Sequence, residues 1–343
     1  MERINAKNSR ILQTNSAEKN SFLNTENIKY AAVLPVGITA GSGCAYLIDQ
    51  GASRLINDCL FPYLQKKHDE TIKFISTKKI EELVNKKVKE TIGDRKRGTI
   101  PRYLTFSYVK PGNQEQMETL LERLTFENWG AYRKKNPLYR LGIRLQDYSG
   151  FLMGRIPKKI PFADLTEKCF YDPIINHINI FHKFEGSVFH EIEHAGDNYR
   201  GVISRLPFKL RMVSELFVLP ALITTAMISA KVNNKTIDKP PKEKEPTYKN
   251  LCRFTKNHIG ALVFATFIPR LAEEVSASGR AIRFINKSVE VSKDFKQKHA
   301  KFLQVAFASY LAFAAATAIA AKTAVMIKDE TTEFLNKKLS LKS

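Results

Sequence analysis

The sequence predicts an α+β fold that is predominantly helical: a metal-carrying helix beside a small antiparallel sheet, joined to several apolar helices that are candidates for membrane spans. Three observations predict it. The stretch His190-Glu191-Ile192-Glu193-His194 spells H-E-x-x-H. A strand-like segment lies just before it. Four apolar segments are spread along a chain of 343 residues, which is long enough for two domains or for one domain plus membrane helices.

Residues 1–29 are polar and rich in Asn, Ser, Lys and Glu, and are expected to form a disordered tail. The first residues lack the apolar core of a signal peptide. Residues 30–58 are read as an apolar helical segment and candidate membrane anchor. Within it, Tyr30 to Ile48 is uncharged and contains Pro35, Gly37, Gly41 and Gly43. A basic, mixed region follows. Thr77 to Lys89 reads as a charged helix and Tyr103 to Val109 alternates like a strand. Gln114 to Leu124 has helical spacing at Met117, Leu120, Leu121 and Leu124.

Phe170-Tyr171-Asp172-Pro173 is a turn signal. Ile174 to Phe181 then reads as a strand, with Ile174, Ile178 and Ile180 on one face and Asn179 on the other. Glu185-Gly186-Ser187 breaks it, and Ser187 is placed to N-cap a helix beginning at Val188. Val188, Phe189, Ile192 and Ala195 give that helix an apolar side.

Met212 to Ala230 is apolar apart from Glu215. Lys239 to Pro246 is a polar linker. His258 to Pro269 is short and apolar. Phe302 to Ala321 is uncharged and reaches the roughly 20 residues that a bilayer crossing requires. Lys298 and Lys301 flank it on one side, Lys322 and Lys328 on the other. The expected organisation is a metal-helix domain over 59–287, including apolar helices 212–230 and 258–285, and a C-terminal apolar helix over 288–343 with basic flanks. A mostly helical soluble domain with all-round apolar core helices is the alternative.

The chain carries 55 Lys+Arg against 34 Asp+Glu, a net charge of +21. That balance suits an anionic lipid surface. Nucleic acid is not an expected partner, because no C₂H₂ spacing, aromatic RNA-binding motif or Arg-rich arm occurs. No obligate protein partner is evident. The basic stretch Lys231 to Lys256 points to a cytoplasmic loop. The H-E-x-x-H region is basic too, and its active site is expected to face the cytoplasm. Either 212–230 does not span, or it pairs with 258–269 as a hairpin whose loop faces away. Cys44, Cys59, Cys169 and Cys252 form no C-x-x-C pair and read as free, buried thiols of a reducing compartment.

The chemistry rests on H-E-x-x-H. On a helix, residues i and i+4 share a face, so His190 and His194 can grip one Zn²⁺, with Glu191 beside its open position as general base. A catalytic zinc site needs a third protein ligand. A third His of the pattern H-E-x-x-H-x-x-G-x-x-H is absent, because position 197 is Asp and position 200 is Arg. A Glu on a later helix is the other option. Glu273 and Glu274, in Pro269 to Ile282, are the best candidates, and Glu215 is a further one. Glu193 reads as a surface charge, and His177 and His182 as surface or loop histidines.

H-E-x-x-H, an apolar segment, a polar linker, a second apolar segment and then Glu274-Val275-Ser276-Ala277 resembles the membrane-embedded gluzincin peptidases of the M48 family, which includes the HtpX-type bacterial proteases and the CAAX-prenyl proteases. The similarity covers roughly residues 170–290. It implies a zincin-like core and Glu274 as the third ligand, since the family signature there is E-x-x-A-D. Ser278 stands where the family has the Asp that orients a zinc-binding His, and it can accept the same hydrogen bond more weakly. Asp197 follows three residues after His194, displaced from the family's acidic position, and is a candidate to orient a ligand or substrate. Tyr199, His258, Arg280 and Arg283 are candidates for stabilising an oxyanion. The expected activity is that of a membrane-associated zinc endopeptidase acting on a peptide or protein. The alternatives are a non-catalytic basic membrane scaffold with a vestigial motif and a soluble helical zinc peptidase.

Overall fold

A computed structural model describes residues 25–72, 77–93, 104–109, 137–155, 169–172, 176–181, 186–230 and 247–340. The polar tail before residue 25, the helix expected over 114–124, the linker 239–246 and His182 lie outside the described residues. Ten helices and three short strands follow in order among the described residues: α1 Thr25–Arg54, α2 Phe61–Ile72, α3 Thr77–Thr91, β1 Thr105–Val109, α4 Pro137–Leu152, β2 Phe170–Asp172, β3 His177–Phe181, α5 Val188–Tyr199, α6 Leu206–Val213, α7 Leu219–Ile228, α8 Thr247–Thr266, α9 Ile268–Lys287 and α10 Lys293–Ser340. π-helical turns join α1 to α2 over Leu55–Leu60 and α6 to α7 over Ser214–Val218.

Two apolar cores organise the chain. The first gathers Leu83 of α3, Ile178 of β3, Phe189 and Ile192 of α5, Phe284 of α9 and Phe295 of α10. The second gathers Ala45, Leu219, Met227, Ile259, Val263 and a run of alanines from Ala314 to Ala324. α10 is 48 residues long, about 72 Å at the helical rise. Its first turns belong to the first core and its middle to the second. Phe302 and Leu303, inside the expected span 302–321, are buried in the first core.

The second core depends on how closely α1 and α10 approach. They run antiparallel, Gly37 facing Lys328 and Thr332 and Gly41 facing Ala324. A Cβ at Gly41 would collide with the Ala324 carbonyl, and one at Gly37 with Thr332 and the Lys328 carbonyl. Small residues four apart, Gly37, Gly41 and Ala45, let two backbones touch, the device that packs helices where lipid removes the hydrophobic drive.

Among the described residues, three helical stretches are long and apolar enough to cross a membrane: Lys29–Glu70, Ile203–Ile228 and Lys293–Leu339. The segment 258–269 is not one of them. The single apolar helix expected over 258–285 is two helices, broken at Phe267, because Pro269 starts a new one and α9 buries Glu273 and Glu274. The sheet also departs from expectation. β2 and β3 pair antiparallel, Tyr171 opposite Ile178, but β1 adds to β3 in parallel, Phe106 opposite Ile178. The order is β1-β3-β2. β3 is the middle strand and α5 packs on the sheet, so His177 and Asn179 are buried along with Ile178. His177, expected at the surface or in a loop, is therefore buried, and so is Asn179 on the face opposite Ile178. The cysteines are free, as expected, but not buried: Cys59 is exposed and the other three are half-buried.

Candidate metal centre

α5 begins at Val188, where the sequence places it, but Ser187 does not cap it. Its backbone is already helical and its side chain makes no cap bond. Gly186 holds the helix start instead. Its N–H donates to Nε2 of His68 in α2 (3.2 Å), and its carbonyl accepts from Nε2 of His299 in α10 (3.1 Å). Both imidazoles are buried.

One turn into α5, His190 and His194 point the same way, as residues four apart must. Their Nε2 atoms are 2.9 Å apart. Oε2 of Glu274, on α9, lies 3.0 Å from His190 Nε2 and 3.5 Å from His194 Nε2. The three side chains form a group that can hold a metal ion. Glu274 is therefore brought to the histidines across 84 residues, because α9 packs directly on α5.

The surroundings fix which ring nitrogens face inward. Ser278 Oγ, one turn after Glu274, is 3.0 Å from His190 Nδ1. Glu273 Oε1 is 3.3 Å from His194 Nδ1. A carboxylate only accepts, so Glu273 favours the neutral His194 tautomer with its proton on Nδ1, which would leave the Nε2 lone pair facing Glu274. Glu273 is anchored in turn by Arg211 of α6 (3.1 Å). Arg211 and Arg270 both reach Glu215, Arg270 Nε at 2.8 Å, so Glu215 belongs to this supporting chain and is not a ligand.

The donor set fits zinc. Tetrahedral zinc with bonds of about 2.0–2.1 Å to nitrogen sets adjacent donor atoms about 3.4 Å apart. The observed separations of 2.9, 3.0 and 3.5 Å are close to that edge. With both imidazoles neutral and protonated on Nδ1, three lone pairs would converge, an arrangement a cation satisfies. Without one, a proton takes its place. Burial acts to lower the His194 pKa, but the charges of Glu274 and Glu273 outweigh it and hold it well above the usual histidine value. Burial likewise acts to raise Glu274, and the two imidazoles hold it far below the usual carboxylate range.

Glu191 lies beside the group and is buried. It accepts a backbone hydrogen bond from Tyr171 in the edge strand β2. Burial pushes its carboxyl above the ordinary range, against the opposing pull of His190 and His194. It is the acidic side chain best poised here to take up a proton.

Glu193 is not a surface charge. It is 1 % exposed and accepts from Lys87 of α3, from Arg200 Nη2 at 2.6 Å and from Arg280 Nε at 2.7 Å. Asp197 shares the same cations, with Arg280 Nη2 at 2.6 Å and Arg200 Nη1 at 3.2 Å. Glu193 and Asp197 are thus a clamp that ties this helix to α3 and α9. Arg280 is spent on this clamp, and Tyr199 accepts from Asn176 Nδ2 at 2.6 Å. His258 stacks on Phe254 on the outer side of α8, and Arg283 is exposed. Tyr310 of α10 escapes sequence reasoning. It lies near enough to Glu191 and Glu274 to sense both charges, and its only sequence signal is a hydroxyl in an otherwise alanine-rich run. Comparison of the chain with protein-family models, curated proteins and solved structures finds no match.

Proposed function

We propose that the protein is a membrane-associated zinc endopeptidase of the gluzincin type, similar in its motifs to the M48 family. One observation carries the reading: His190, His194 and Glu274 converge from two helices on one point, with the buried carboxyl of Glu191 next to it. His190, His194 and Glu274 would hold the ion. Bound there, zinc would supply a Lewis acid that acidifies water and polarises a carbonyl. Glu191 takes the proton from water and returns it to the leaving amine. Its burial favours this work, since a carboxyl lifted above its usual pKa is a stronger base. Ser278 and Glu273 orient the two imidazoles. The three long apolar helices and the basic charge support a membrane address with anionic lipid as neighbour. The β2 edge beside Glu191 is a candidate platform for an extended peptide.

Two substitutions separate base from ligand. Glu191→Gln retains zinc and loses peptide hydrolysis by a factor of about 10² or more. Glu274→Ala loses the zinc itself, measured by metal analysis of the purified chain. A Glu191→Gln protein that cleaves an unfolded substrate at the parent rate overturns the peptidase assignment.

A further inference from the structure

Two charged layers cross the molecule, one at the metal centre and one far from it. At the far layer the Tyr30 hydroxyl donates to the Ile228 carbonyl (3.4 Å). Lys256 Nζ donates to the carbonyls of Ser229 and Ala230 (both 2.8 Å) and lies 2.8 Å from Asp329. Lys328, fully buried, reaches the Ser229 carbonyl (2.6 Å) and Asp329. The start of α1, the end of α7, the first half of α8 and the late part of α10 therefore meet at one level. At the metal layer stand Arg211 with Glu273 and Arg270 with Glu215, and Tyr310 lies within electrostatic reach of both arginines. Asp49, paired with Arg155 at 2.7 Å, is the next charge along α1; Arg155 also reaches Thr317 (3.3 Å), so this pair lies inside the apolar length of α10, on the side that α4 covers.

Along α6–α7 and α10 the layers are similarly spaced: Arg211 to Ile228 and Tyr310 to Lys328 are 17 and 18 residues apart, or about 26–27 Å of helix, while Lys256 to Arg270 covers 14 residues, about 21 Å. A bilayer's hydrocarbon core is about 30 Å thick. Residues 31–48, 216–230 and 257–269 contain no Asp, Glu, Lys or Arg, and residues 311–327 contain only Lys322. Lys322 is exposed and about 9 Å of helix from the far layer, within reach of a snorkelling side chain. Between the layers Val36, Leu47, Val218, Leu311, Ile319 and Met326 point outward, each at least 42 % exposed. On one side α4 crosses the bundle, Gly142 against Leu216 and the Leu152 carbonyl against Ser42. Its exposed Arg140 and Arg144 narrow the apolar band there.

We propose that a lipid bilayer fills the band between these layers, with the metal centre at one membrane surface and Lys29, the end of α7 and the start of α8 at the other. The proposal rests on the membrane reading above and adds its sidedness. It resolves the hairpin alternative posed by the sequence: α7 and α8 pair, and the end of α7 and the start of α8 lie away from the site. It follows that the basic stretch Lys231 to Lys256 and the metal centre cannot both be cytoplasmic.

The native cysteines test it. Cys59 follows α1 beyond the metal layer, Cys252 precedes Lys256 beyond the far layer, and Cys44 lies between them. Full-length versions that keep one cysteine, the others replaced by Ser, are placed in sealed membrane vesicles and treated with a membrane-impermeant maleimide. Cys59 and Cys252 should label from opposite sides, and Cys44 only after detergent. Zinc content of each version verifies that the site is intact. Labelling of Cys59 and Cys252 from the same side, or of Cys44 in intact vesicles, overturns the sidedness while leaving the membrane address standing. Release of the unlabelled chain from vesicles by alkaline carbonate overturns the membrane address itself.

Discussion

The two metal-site histidines owe their geometry to groups that hold their far nitrogens. Ser278 faces His190 Nδ1 at 3.0 Å, and Glu273 faces His194 Nδ1 at 3.3 Å. Groups that orient ligands in this way typically carry a factor of 10–100 in metal affinity. Ser278→Ala should weaken zinc binding by about tenfold, and Ser278→Asp should bind at least as tightly as the parent, because a carboxylate accepts the same proton more strongly. Competition against a chromophoric chelator measures both. Equal affinity of the Ala variant and the parent would show that Ser278 does not orient His190. The two histidines were legible in the sequence because i, i+4 spacing is a local rule, whereas Glu274 was singled out from the adjacent Glu273 only through the family resemblance to E-x-x-A. Glu193 was not legible. What buries it are Lys87 and Arg280, 106 and 87 residues away, and no local pattern distinguishes such a carboxylate from a solvated one. Burial alone would raise its pKa, but the Lys87 and Arg200 cations hold it below the ordinary range.

At the scale of elements, the apolar helices were legible and their partners were not. Phe302 to Ala321 was legible as an uncharged run long enough to cross a bilayer, but not as a packing surface. Paired with Gly37, Gly41 and Ala45, its alanines become the surface against which α1 seats. The parallel β1 was illegible for a similar reason, since it joins β3 across 72 residues and nothing in Thr105 to Val109 encodes direction. The helix pair yields a direct test. Gly41→Leu would force side-chain atoms into the Ala324 carbonyl, whereas a Cβ at Gly43 meets nothing within 4 Å. Overpacking of this kind costs about 1–3 kcal/mol. Thermal unfolding in detergent should show that loss for Gly41→Leu and little change for Gly43→Leu. Equal effects would mean that α1 does not pack through its glycines.

At the scale of the whole molecule, metal and proton compete for one of two cores. α5 and α9 meet within the first core, and the second core is built without either metal helix. Removing the ion should therefore loosen one part of the chain. In the metal-free protein His194 has a raised folded pKa. A raised histidine contributes stability that is complete below its unfolded value of about 6.5 and fades as pH rises through the folded value. The proton thus stands in for the cation at low pH and is lost at high pH, when chelated protein has nothing between its three donors. Metal affinity should rise with pH over the same window, since binding must displace that proton. Hydrogen exchange of detergent-solubilised protein, with and without chelator, reads this element by element. Amides of α5 and α9 should lose protection on chelation, and lose more at about pH 8 than at about pH 6, on either side of the unfolded histidine value. Those of α1, α7 and the second half of α10 should keep theirs. Uniform loss along all five helices would show instead that the two cores unfold as a single cooperative unit through the shared length of α10.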